Sequence, residues 1–127
     1  MTSNFEFLAK YWQNFAQLGQ LAELYLHTDA NLCTDRIGLL AEKIAGHMCF
    51  VEGAQLPEQA SHADRIRWLK HAELLPGQIG DIFYLLRKGR GDAMHMGMAS
   101  ADRAAQLLEL GFYLSCWFIK VYACWEF

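Results

Sequence analysis

Residues 34–48, TDRIGLLAEKIAGHM, place Ile37, Leu40, Ala41, Ile44, Ala45 and Met48 at steps of three and four. That spacing lines one side of an α-helix, which turns once in about 3.6 residues. Thr34 is the expected N-cap, Glu52-Gly53 the stop, and Pro57 follows soon after. The same period extends outward in both directions. Upstream, Phe5, Leu8, Trp12, Phe15, Leu18, Ala22 and Tyr25 form one stripe. They predict a single amphipathic helix over Phe5–Leu26, with Ser3 or Asn4 accepting the free N–H groups of its first turn. Thr28-Asp29-Ala30-Asn31 reads as the turn between these two helices.

Downstream, a shorter helix is expected over Ser61–Leu74. Pro76 suits the first turn of a fourth, where a missing N–H costs nothing. That helix carries Ile79, Ile82, Phe83 and Leu86 inward and delivers Arg87-Lys88-Gly89-Arg90 at its end, where Gly89 and Gly91 loosen the backbone. A fifth helix starts after Ser100, with Asp102 at its positive pole. It runs through Leu107, Gly111, Leu114 and Phe118 as far as Trp125. No segment joins alternating β-branched residues to a hairpin turn, and no internal repeat is present. The expected fold is all-α, a compact bundle of about five helices.

Composition agrees with one domain spanning residues 1–127. Hydrophobic residues make up 54% and charged residues 20%, enough for one core. Two prolines and ten glycines leave little room for long disordered linkers. A chain this short cannot hold a motor, a nuclease and a substrate-reading module together. The net charge of −3 excludes a global basic footprint, so any nucleic-acid contact falls to the dense basic run at Arg87-Lys88-Gly89-Arg90. Cys33, Cys49, Cys116 and Cys124 lack C-x-x-C and zinc-ligand spacing, and three lie among apolar neighbours. They read as reduced, buried thiols of a cytoplasmic protein. Met1-Thr2-Ser3-Asn4 lacks the basic and apolar regions of a signal peptide.

The run from Leu110 to Trp125 is nearly all apolar. It is shorter than the roughly 20 residues of a membrane span, and Lys120 sits inside it. It reads as a helix buried on most sides, with no membrane contact. It stops at Trp125-Glu126-Phe127 without a Gly, an Asn or a polar tail. The expectation is an N-terminal piece of a longer protein.

The residues able to carry chemistry gather in one segment. Arg90 and His95 are separated by four residues. An arginine fork binds and orients phosphate, and a histidine moves protons near neutrality. Together they could cut RNA without a metal, through its 2′-hydroxyl, with Asp92 orienting either side chain. The catalytic candidates are therefore Arg90, His95 and Asp92. The nucleic-acid-binding candidates are Arg87, Lys88 and Arg90. A purely structural alternative has the three cations complementing a negative helix end and His95 hydrogen-bonding locally. His47 reads as a partly buried hydrogen-bonding residue, and His27, His62 and His71 as solvated. Glu42 could pair with the basic run, or locally with Lys43 or Arg36. There is no P-loop and no acidic cluster for two metals, so no metal or cofactor is expected in this domain. Trp12, Phe15, Phe83, Phe112, Trp117 and Phe118 read as core rather than as a base-stacking platform.

Four segments carry a family resemblance. Ser3-Asn4-Phe5-Glu6-Phe7-Leu8 resembles the start of restriction (R) subunits of type I restriction-modification enzymes. Glu42 with Ala45-Gly46-His47-Met48 resembles their second-helix segment. Leu85-Leu86-Arg87-Lys88 through Ala93-Met94-His95 resembles their arginine-rich segment ending in Ala-x-His. Leu110-Gly111-Phe112, with Leu114 and Trp117-Phe118, resembles their last-helix segment. The four occur in the family's order and span nearly the whole chain. Such N-terminal domains look like members of the HEPN helical superfamily, whose catalytic members carry an arginine and a histidine four to six residues apart. The resemblance implies a parent enzyme that uses ATP and Mg to translocate and cleave DNA. It also implies contacts with the parent's other domains, with modification and specificity subunits, and with DNA through the holoenzyme. HEPN-like domains often pair through helices, so a homodimer is among the expectations. The chain departs from the family at two places. Arg90-Gly91, followed by Asp92, replaces the usual Gly-Asn pair, and Gly38 stands where an arginine is usual one turn before Glu42.

Overall fold

One long helix, Ala30–Val51, runs through the middle of the molecule and touches every other α-helix. The computed structural model describes residues 3–96 and 100–123, with Met94, His95 and Met96 described as backbone only. Among these residues are a 3-10 helix, Glu6–Lys10, and five α-helices. The helices are α1 (Gln13–Tyr25), α2 (Ala30–Val51), α3 (His62–His71), α4 (Gly77–Met96) and α5 (Ala101–Tyr122). No strand occurs among the described residues. The expected all-α bundle is the fold.

Helix α2 buries Cys33, Ile37, Leu40, Ala41, Ile44, Ala45, Met48 and Cys49 along one broad side. It begins earlier than Thr34. The Asp29 carboxylate accepts the Leu32 N–H at 3.1 Å and caps the first turn, while Thr34 is buried inside the helix. Four residues read as a turn therefore hold the cap and the first turn of α2. At the other end Gly53, at φ 75°, lets Ala54 N–H reach the Cys49 carbonyl at 2.9 Å. Helix α3 opens on a reciprocal cap, Ser61 Oγ to Asp64 N and Asp64 Oδ2 to Ser61 N. It ends at His71, short of Leu74, because Glu73 turns into the left-handed region at φ 59° and Leu74 N–H bonds back to the Leu69 carbonyl. Helix α5 starts after Ser100 as expected, and the Ser100 hydroxyl caps it, accepting Arg103 N–H at 3.1 Å.

The first expected helix is two pieces. Trp12 is extended (φ −141°, ψ 85°), so the chain before it folds back along α1. Phe5 packs onto Gly19, Ser3 Oγ donates to a Glu23 carboxylate oxygen, and Asn4 N–H donates to the other at 3.2 Å. A continuous helix would carry Phe5 and Leu8 beyond the end of α1. Folding back buries both almost completely.

Helix α4 also differs from its expected form. It continues through Gly89 and Gly91 to Met96, so the basic run lies within the helix and not at its end. Arg87, Lys88 and Arg90 therefore do not neutralise a helix terminus. Gly89 permits close packing: a Cβ there would lie 2.5 Å from Leu107 Cδ1 of α5. Gly111 of α5 likewise receives the Ile37 side chain of α2. Helix α5 buries Ala104, Leu107, Gly111, Leu114, Ser115 and Phe118 but exposes Phe112, Tyr113 and Val121. It is one-sided, not buried on most sides, and Trp125 lies outside the described residues. No described helix is long and apolar enough to cross a membrane.

Two glycines test this packing against each other. Gly111→Ala should lower the urea-unfolding free energy by about 1–3 kcal/mol, because the new methyl group meets Ile37. Gly46→Ala, where a Cβ meets nothing within 4 Å, should raise it by about 0.5–1 kcal/mol. Equal effects at the two sites would refute the close approach of α2 and α5.

Candidate functional site

Asp35, Gly38 and Glu42 share one side of α2, at spacings of three and four. The Arg90 side chain, from α4, lies across that side. A Cβ on Gly38 would sit 2.8 Å from Arg90 Cβ, so only glycine leaves room for the arginine stem. Arg90 Nε donates to Asp35 Oδ1 at 2.9 Å, and Arg90 Nη1 donates to Glu42 Oε2 at 2.6 Å. The three side chains are 28%, 22% and 30% exposed. Arg36 also pairs with Asp35. Two carboxylates and two guanidinium groups thus balance in charge. Burial opposes the charge on Arg90, but the Asp35 hydrogen bond and the two carboxylates outweigh it and raise its pKa.

Glu42 therefore pairs with the basic run, the first of the alternatives open to it. Asp92 does not orient Arg90: it is exposed and faces Lys88, with Nζ to Oδ2 at 3.8 Å. Arg87 is exposed and points its charge toward the α3 side, where His62 feels it. The three cations thus go to three different surroundings: Arg90 onto α2, Lys88 onto Asp92 and Arg87 toward α3. His95 falls on the last turn of α4, and its side chain lies outside the described residues.

One residue of the site reads differently from sequence. His62 was expected in solvent, yet both ring nitrogens are buried without a hydrogen-bond partner among the described residues. Its ring meets Phe83 edge-on, with centroids 6.1 Å apart. Burial pushes its pKa down to about 4; Glu42 opposes this, while Arg87, Arg65 and Arg90 reinforce it. The imidazole is neutral near pH 7. The polar neighbours Ser61, Asp64 and Arg65 hide it in the sequence. Its spacing to Ile66 and Leu69, four and seven residues, is the signal that places it on the inner side of α3.

The other histidines and the cysteines carry less. His47 packs among the rings of Trp12, Phe15 and Phe118, and burial lowers its pKa. His27 and His71 are exposed. Cys33 and Cys49 are buried free thiols and Cys116 is half-buried; burial pushes Cys33 up to about 11, so it stays a thiol. Cys124 lies outside the described residues. Among the described residues no three His, Cys, Asp or Glu side chains are grouped to hold a metal ion. Of the aromatic residues expected in the core, Phe15, Phe83 and Phe118 are buried. Trp12 and Trp117 pack against the core from its edge. Phe112 is partly exposed and meets Phe5 and Phe7 edge-on.

The arrangement is a clasp between α2 and α4. Its arginine fork is turned onto α2, with Nε and Nη1 each taken by a carboxylate. The chain matches no family model, no curated protein and no solved structure with which it was compared.

The buried imidazole has a pH signature. The folded protein holds His62 at about 4, against an ordinary value of 6.5. Below 6.5 the unfolded chain therefore binds the proton better. Stability from this group is complete above that pH and drains away as pH falls toward 4. His62→Gln should flatten the fall in thermal midpoint between pH 7 and pH 5, followed by far-ultraviolet circular dichroism. Parallel curves for the two proteins would show that His62 is not buried as a neutral ring.

Proposed function

We propose that this chain is a non-catalytic helical module of the restriction subunit of a type I restriction-modification enzyme. Its task is assembly or nucleic-acid contact. The observation that supports the non-catalytic part of this reading is the Arg90 clasp, formed at Gly38 and Arg90, where the chain departs from the family's pattern. It joins Glu42, from the second-helix segment of the resemblance, to the arginine-rich segment of the fourth helix. It also occupies the arginine that a metal-independent ribonuclease would need free for the scissile phosphate. In this reading the parent enzyme supplies ATP-driven translocation and DNA cleavage, with Mg, from its other domains. The module would meet those domains, or the modification and specificity subunits, through its exposed helix faces. Phe50, Val51 and Leu24 are exposed apolar residues available for such contacts.

The ribonuclease alternative, through Arg90 and His95, makes an opposite prediction. Purified chain incubated with labelled single-stranded RNA in EDTA should leave the RNA intact, and Arg90→Ala and His95→Ala should behave as the parent does. In gel filtration the chain should co-elute with the modification and specificity subunits of the enzyme. RNA cleavage that His95→Ala abolishes would overturn the reading, and so would failure to co-elute with any subunit or domain of the enzyme.

A further inference from the structure

Arg90 is turned inward and Lys88 faces Asp92, so the uncompensated positive charge of this acidic chain lies elsewhere. It gathers in a cleft of about 210 Å³ between α3 and α4. Arg67 and Lys70, three residues apart, rise from the α3 wall, and Tyr84 and Arg87, also three apart, rise from the α4 wall. Phe83, fully buried, belongs to the floor. Arg67 is partly offset by Asp64, at 3.0 Å, and its side chain remains 65% exposed. Among the described residues neither Lys70 nor Arg87 forms an ion pair. The Lys70 stem lies against α4: a Cβ on Gly80 would sit 3.3 Å from its Cε. The lysine thus crosses from its own helix onto the opposite wall. Tyr84 presents a ring 53% exposed at the rim.

We propose that this cleft binds the phosphodiester backbone of single-stranded nucleic acid, with a base stacked on Tyr84. Cations on both walls of an open cleft suit a polyanion that runs along it, since each phosphate finds a cation on either side. A flat ring beside the cations gives a base a stacking surface without reading its identity. A net charge of −3 makes the local cluster stand out, because the rest of the surface repels the same ligand. The proposal rests on the non-catalytic reading above, to which it gives a contact surface. It keeps Arg87 as a contact residue, replaces Lys88 and Arg90, and adds Arg67, Lys70 and Tyr84.

Fluorescence anisotropy of a labelled oligouridylate and a labelled oligothymidylate, titrated with the purified chain in EDTA, tests it. Saturable binding is expected, weakening with salt. Lys70→Gln and Arg87→Gln should each weaken it about fivefold and lower the salt slope by about 0.7, the value for one phosphate contact on a single strand. Tyr84→Ala should weaken it about tenfold and leave the salt slope unchanged. Lys120→Gln, which removes an equal charge from the last turn of α5, should bind as the parent does. All four side chains are exposed, and an unchanged melting curve confirms that each variant is folded. Absence of binding, equal loss in Lys120→Gln, or equal competition by polyglutamate would each overturn the cleft as a nucleic-acid site. RNA cleavage in the same tubes would instead overturn the non-catalytic reading, so the two failures are distinct.

Discussion

The Arg90 side chain lying across Gly38 is the contact on which the rest of the bundle depends. Helices α2 and α4 meet along a line that includes two carboxylates, Asp35 and Glu42, each less exposed than a surface residue. Without a cation from α4, Glu42 would lose its ion-pair partner and Asp35 would keep only Arg36. Arg90 supplies it, and its planar fork reaches both at once, which a lysine could not do. The geometry demands glycine at position 38, because any side chain there would displace the arginine stem. A charged contact and a steric allowance on two helices are therefore one device.

Close approach recurs around α2. Gly111 brings α5 onto Ile37, and Gly89 brings α5 onto α4 through Leu107. These contacts close a triangle of α2, α4 and α5, against which α1 and α3 pack. Glycine in a helix costs about 0.5–1 kcal/mol relative to alanine, and close packing of large side chains offsets that cost. The triangle explains why the basic run is not a helix end. Gly89 marks a tight crossing with α5, Gly91 faces open space, and α4 continues through both.

The sequence made the helices legible because each buries a regular stripe. Ile37 to Met48, Ile79 to Leu86 and Leu107 to Phe118 all lie where their spacing puts them. What it concealed depends on contacts between distant residues. The fold-back of Phe5 onto Gly19 leaves no mark in the local pattern, since the same residues fit one continuous stripe. Asp29 and Thr34 are both residues that cap helices, and the burial of Thr34 inside the bundle decides between them. The site was half legible. Glu42 and Arg90 were both picked out, but Asp35, 55 residues from Arg90 in sequence, was missed because nothing local ties it to α4. His62 was misplaced by its polar neighbours, although its spacing to Ile66 and Leu69 carried the answer.

If Arg90 is a clasp and not a catalytic arginine, its energy is shared with its partners. A double-mutant cycle on Arg90→Gln and Glu42→Gln, read by urea unfolding, measures that sharing directly. The account predicts a coupling energy of about 1–2 kcal/mol, between the range for exposed pairs and that for buried ones. Additivity within about 0.5 kcal/mol would contradict it, for it would mean that the arginine and the carboxylate act independently.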